Sequence, residues 1–130
     1  MRMASGIITL TRTGSGELYG QIVWSSVSNG TAANTSTVTA TIQLKRPAGW
    51  YTQGTWKGSL NVGGITKGIS YHTTVRDGWV TIDTLTTTVS HNADGSGSCY
   101  IYGMLNGPTQ TSMEGTSVSG SGTVTLDAIP

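Results

Sequence analysis

The sequence contains no phenylalanine, one cysteine and three prolines, and only 10% of its 130 residues are charged. Each shortage excludes something. A single cysteine, Cys99, cannot close an internal disulfide, which removes a disulfide-stapled scaffold and a structural zinc cluster. Seven basic residues against six acidic ones leave a formal charge of +1. The basic residues Arg2, Arg12, Lys45, Arg46, Lys57, Lys67 and Arg76 are thinly spread, whereas neutralising nucleic-acid phosphates requires them clustered. No apolar run approaches the ~18 residues of a membrane span. The segment Met1-Arg2-Met3-Ala4-Ser5-Gly6 lacks the apolar stretch of a signal peptide. The expectation is a chain made in a cytoplasm that acts outside the cell after lysis or as part of a particle. Ala and Leu, the strongest helix formers, are scarce, which argues against a mostly helical protein.

What is present favours sheet. Thr (23), Gly (19) and Ser (15) together supply 57 residues, and Thr, Val, Ile, Tyr and Trp suit a pleated surface. The run Val38 to Lys45 alternates, with Val38, Ala40, Ile42 and Leu44 on one side and Thr39, Thr41, Gln43 and Lys45 on the other. That is the pattern of a strand with one buried and one wet face. Comparable runs are Ile7 to Arg12, Leu18 to Trp24, Thr55 to Val62, Lys67 to Val75, Trp79 to Val89, Gly97 to Leu105 and Ser117 to Leu126. Asn29-Gly30, Asp77-Gly78 and the stretch Asn92 to Gly97 separate runs and read as hairpin turns needing positive φ. The fold class expected is all-β: a single antiparallel β-sandwich, jelly-roll or immunoglobulin-like, of about eight strands. One domain spans residues 1–130, its strands running from about Ser5 to Ile129. Without Phe, the core must come from Ile, Val, Leu and some of the four tryptophans; Trp24 and Trp79 are the expected core pair.

Nothing in the residues points to catalysis. A glycosidase needs two carboxylates across a cleft, and the sequence alone brings no pair of its six acids together. His72 and His91 are far apart, and Cys99 shares an inward register with Ile101, which makes it a buried thiol. No phosphate loop opens a helix. The stretch His91 to Ser96 offers oxygen donors at Asn92, Asp94 and Ser96 but no bidentate Glu, so it reads as a turn and not a metal site. The Asn29-Gly30-Thr31 and Asn34-Thr35-Ser36 sequons read as accidents of composition. No cofactor and no metal are expected. The aromatics are more informative: with Cys99 and Ile101 inward, Tyr100 and Tyr102 face out, as does Tyr19. Trp50 and Tyr51 follow Arg46-Pro47-Ala48-Gly49 in an expected loop, and Trp56 comes soon after. Flat rings with a polar edge suit sugar faces and protein interfaces alike. The candidate ligand-binding set is therefore Trp50, Tyr51, Trp56, Tyr100 and Tyr102, with Gln43 and Lys45 as hydrogen-bonding neighbours. The competing reading is that these are β-formers on a wet face or at a protein contact.

The chain also resembles a β-sandwich module of tail and baseplate proteins of siphoviruses that infect Gram-positive bacteria. The resemblance covers roughly residues 15–130. It is carried by Asn34-Thr35-Ser36-Thr37-Val38 leading into Thr41 to Arg46, by Gly54 to Gly64, by Gly78-Trp79, by Thr88 to Ser96, and by Ser119 to Asp127. Its most specific piece is His91-Asn92-Ala93-Asp94-Gly95-Ser96. The resemblance implies a non-enzymatic virion protein whose partners are host cell-wall glycan, other virion proteins or copies of itself. It implies neither a nucleic-acid partner nor a catalytic residue. The alternative is a purely structural tail or capsid decoration that assembles through its sheet faces.

Overall fold

The computed structural model describes residues 3–130; Met1 and Arg2, the first of the dispersed basic residues, lie outside the described residues. Eight strands follow one another: β1 Met3–Thr13, β2 Tyr19–Ser28, β3 Thr35–Lys45, β4 Thr52–Val62, β5 Ile65–Val75, β6 Val80–Ser90, β7 Gly97–Asn106 and β8 Ser117–Leu126. All pairings are antiparallel, in the order β5-β4-β7-β8-β1-β2-β3-β6. The all-β, eight-stranded antiparallel expectation is thereby met. No described helix is long and apolar enough to cross a membrane.

The sheet folds over at β1. Met3 to Leu10 pair with β2, and Thr11 to Thr13 with β8. One half, β1-β2-β3-β6, therefore faces the other, β8-β7-β4-β5. The two inner faces meet directly: a side chain on Gly103 of β7 would reach 2.7 Å from Ile22 of β2 and 2.9 Å from Ile42 of β3. Glycine at this point lets the halves approach. Burial alternates strictly along β3, where Val38, Ala40, Ile42 and Leu44 enter the core. Leu60, Val62, Ile101, Leu105 and Val118 meet them from the other half. The free edges of the sheet, β5 and β6, come together without a ladder. Lys67 of β5 donates to Asp83 at 2.8 Å and to the Thr84 carbonyl at 3.2 Å, which nearly closes the sheet into a barrel-like shape. A charge on an edge also discourages pairing with foreign strands.

Tryptophan placement corrects two expectations. Trp24 is buried as expected, but Trp79 is 41% exposed and Trp56 is wholly buried. Trp56 shares its parity along β4 with Leu60 and Val62, so the pleat carries it inward. Its indole Nε1 donates to the Thr73 carbonyl of β5 at 3.3 Å. Trp79 shares its parity with exposed Thr81, while Val80 and Ile82 turn inward.

The turns divide into two kinds. Asn29-Gly30 does close the β2–β3 hairpin, with Gly30 at φ 92° and Asn29 bonded to Thr35. The other two expected hairpins are overturned, because β5 does not pair with β6, nor β6 with β7. Asp77-Gly78 and Asn92 to Ser96 instead carry the chain from one half of the sheet to the other. Neither Asp77 nor Gly78 has positive φ, so no tight primed turn forms there.

Candidate functional site

Three connections meet at one end of the molecule. The β1–β2 loop delivers Glu17 and Tyr19, the β3–β4 loop follows Lys45 and Arg46, and the β5–β6 crossover brings Asp77 and Trp79. Pairing fixes their meeting. Tyr19 lies opposite Lys45, and Leu44 opposite Val80, which sets Trp79 beside Lys45. The Lys45 ammonium lies 4.8 Å from the Trp79 ring centre and 5.7 Å from that of Tyr19. Such cation–π contacts are worth about 0.5–1 kcal/mol each at exposed sites, a modest bias toward this arrangement.

These groups line a groove of about 970 Å³, with Gln21, Glu17, Arg46 and Asp77 among the walls. A hydrogen-bonded row continues from it across the outer face: Gln21 Nε2 donates to Gln43 at 2.7 Å, and Gln43 Nε2 to Thr81 at 3.2 Å. A second hollow, of about 460 Å³, adjoins on the far side of Asp77 and is walled by Trp50, Tyr51 and Arg76. The turn Pro47 to Trp50, closed by the Trp50 amide on Pro47 and with Gly49 at φ 83°, holds Trp50 and Tyr51 out into solvent. Glycine suits the positive φ required there. Arg46 lines the groove and reaches Trp50, a wall of the second hollow. Its Nη1 donates to the Glu17 carbonyl, its backbone amide to Arg76, and its guanidinium lies 5.1 Å from the centre of the Trp50 ring.

The expected binding set is thus split. Trp50, Tyr51, Gln43 and Lys45 lie at or beside the groove. Tyr19 and Trp79 complete it, although the candidate set omitted both and the core expectation for Trp79 is wrong. Trp56 is withdrawn as a stacking surface, since a core residue has no free face. Tyr100 and Tyr102 do point outward on β7, as expected. There they flank Ser59, Asn61 and Thr66 in a shallow depression of about 310 Å³. That face belongs to the other half of the sheet, so Gln43 and Lys45 are not neighbours of these tyrosines. Alternation shows which side of a strand a residue occupies; it does not show which strands are adjacent.

The turn carrying the most specific part of the resemblance is internally engaged. Asp94 Oδ1 accepts from the Ser96 hydroxyl at 2.6 Å and the Ser96 amide at 2.9 Å. Those bonds, the hydroxyl's first, hold its carboxyl below the usual 3.8. His91 is buried between the Ser36 hydroxyl and the Gly95 carbonyl, each 2.7 Å from a ring nitrogen. Gly95 also bonds Ile129 through that carbonyl. The stretch therefore pins the C-terminal segment to the end opposite the groove. Among the described residues, no group of three or more His, Cys, Asp or Glu is placed to hold a metal ion.

No protein-family model, no curated protein and no solved structure matches this chain.

Proposed function

We propose that the chain is a non-catalytic virion-associated module that binds host-surface carbohydrate, using the groove between Tyr19, Lys45 and Trp79. The observation that carries this reading is the gathering of four exposed aromatics, Tyr19, Trp50, Tyr51 and Trp79, at one end. Around them stand the amides of Gln21 and Gln43 and the carboxylates of Glu17 and Asp77. A sugar offers an apolar ring face and a rim of hydroxyls, and this arrangement offers the complement to both. Contact with one or two rings binds weakly, so useful avidity comes from repeated copies on a particle. The placement on a phage tail rests on the sequence resemblance alone.

Titration of tryptophan fluorescence with Gram-positive cell-wall polysaccharide tests the reading. Saturable change is expected, lost in Trp79→Ala and Tyr19→Ala and kept in Tyr100→Ala. No response to any wall polysaccharide would refute it.

One feature favours the structural alternative. The outer face of β1, β2 and β3 presents exposed Met3, Ile7 and Val23 beside the Thr39–Thr86 and Thr41–Thr84 hydroxyl pairs. Light scattering decides here: a defined oligomer disrupted by Ile7→Lys would favour assembly through that face.

A further inference from the structure

Arg46 is out of proportion to the rest of the molecule. In a chain with few charges it is, among the described residues, the one charged side chain in the buried set, at 2% exposure. Removing a guanidinium from water costs several kcal/mol unless an opposite charge compensates. None does here. Among the described residues the single ion pair is Lys67–Asp83. Arg46 is left with a backbone carbonyl and an aromatic face, and its Nε is buried with no hydrogen-bond partner. Carboxylates are close by in the fold, since Glu17 and Asp77 line the same groove, yet neither pairs with it. The guanidinium fork matches a planar carboxylate or a phosphate. Lys45, adjacent in sequence but on the outward side of β3, brings a second cation to the same groove, and Arg12 a third.

We infer that the groove is built for an anionic saccharide, one carrying a carboxylate or a phosphate, with Arg46 as the buried anchor and Lys45 as the exposed one. This rests on the glycan-binding reading and specifies its ligand class. The ring face of the sugar lies against Trp79 or Tyr19, its acid group is drawn toward Arg46 and Lys45, and its hydroxyls meet Glu17, Asp77 and Gln21.

The test compares three probes by calorimetry on the full chain: an oligogalacturonate, the same oligomer with its carboxyls reduced to alcohols, and that reduced oligomer phosphorylated. The acidic oligomer should bind at least about tenfold more tightly than its reduced form, a gap that falls as salt rises. The two acidic probes identify whether carboxylate or phosphate is preferred. Arg46→Gln and Lys45→Gln should each lower the acid-to-neutral ratio several-fold, whatever either does to binding of the neutral oligomer. A purely structural Arg46 would lower stability without moving that ratio. If Arg46→Gln does not fold, the wild-type ratio and the Lys45→Gln ratio decide. Equal affinity for acidic and neutral oligomers, with both lost in Trp79→Ala, overturns the anion inference and leaves the glycan reading standing. Binding of none of the probes overturns the inference, and the glycan reading falls with it only if wall polysaccharides also fail.

Discussion

Replacing Trp56 and Trp79 by alanine, one at a time, separates the core of this molecule from its surface. Trp56 is wholly buried. An indole of its class hides about 150–250 Å², which at about 25 cal/mol per Å² amounts to roughly 4–6 kcal/mol as an upper bound. Core Trp→Ala replacements commonly cost about 3–5 kcal/mol, and this one also removes the donor to the Thr73 carbonyl. Trp79 keeps 41% of its surface in water, and its noted partner, Lys45, is flexible. At the same rate, the part of it that is buried accounts for roughly 2–4 kcal/mol as an upper bound, and its removal leaves no core cavity. Against a total of roughly 5–15 kcal/mol, the first change threatens folding more than the second. Urea unfolding followed by far-UV circular dichroism reads the difference as a shift in midpoint at constant slope. The expected result is a clearly larger loss for Trp56→Ala than for Trp79→Ala. Equal losses, or a larger one for Trp79→Ala, would refute the assignment of faces on which the groove depends.

Other outcomes follow from the same packing. Gly103→Ala should cost about 1–2 kcal/mol, at the mild end of overpacking because the methyl meets the tips of Ile22 and Ile42; a thermal melt measures it. The Cys99 thiol is raised above its ordinary 9.0 by burial, opposed in part by the Gly63 backbone. Its contribution to stability is thus complete below that pH and lost as pH rises through the folded value, when the unfolded thiol has already ionised. Cys99→Ala should flatten this alkaline limb, and a thiol reagent should label Cys99 only on unfolding. Asp94, lowered by its Ser96 bonds, acts in the opposite sense: its contribution is present above 3.8 and disappears as pH falls through the lower folded value. Acid titrations of wild type and Asp94→Asn should converge at the acid end. Incubating the protein with its polysaccharide should release no new reducing ends, which a colorimetric assay would show.

Much of the fold was legible because the signals are local. Alternation along Val38 to Lys45 marked a half-buried strand, and the outward register of Tyr100 and Tyr102 followed from that of Cys99 and Ile101. The same rule, applied to Trp56 with Leu60 and Val62, would have placed that indole in the core, and applied to Trp79 with Thr81 it would have placed that one outside. A register shift in β6, where Ile42 pairs with Asp83 but Gln43 with Thr81, reverses the inward parity partway along the strand. That shift sets Thr84, Thr86 and Thr88 facing out, and a simple count across the run misses it. Gly63-Gly64, both with positive φ, form the tight β4–β5 turn, and a paired glycine between two alternating runs was a sufficient signal for it. The groove was not legible. It depends on Tyr19, Lys45 and Trp79 meeting through the β2-β3-β6 pairing, and an Asp-Gly crossover looks the same in sequence as an Asp-Gly hairpin. Arg46 continues the inward parity of Val38, Ala40, Ile42 and Leu44, so alternation did mark its burial, and only its charge argued for the outside.

The central claim is that the aromatic end is the recognition surface, and the four indole N–H signals of a ¹⁵N-labelled sample test it most directly. On addition of wall-derived oligosaccharide, the Trp79 and Trp50 signals should shift together with amides of Tyr19, Lys45 and Asp77, while Trp24, Trp56 and the Tyr100–Tyr102 strand stay still. Shifts gathered instead around Ser59, Asn61, Tyr100 and Tyr102, or no shifts anywhere, would contradict it.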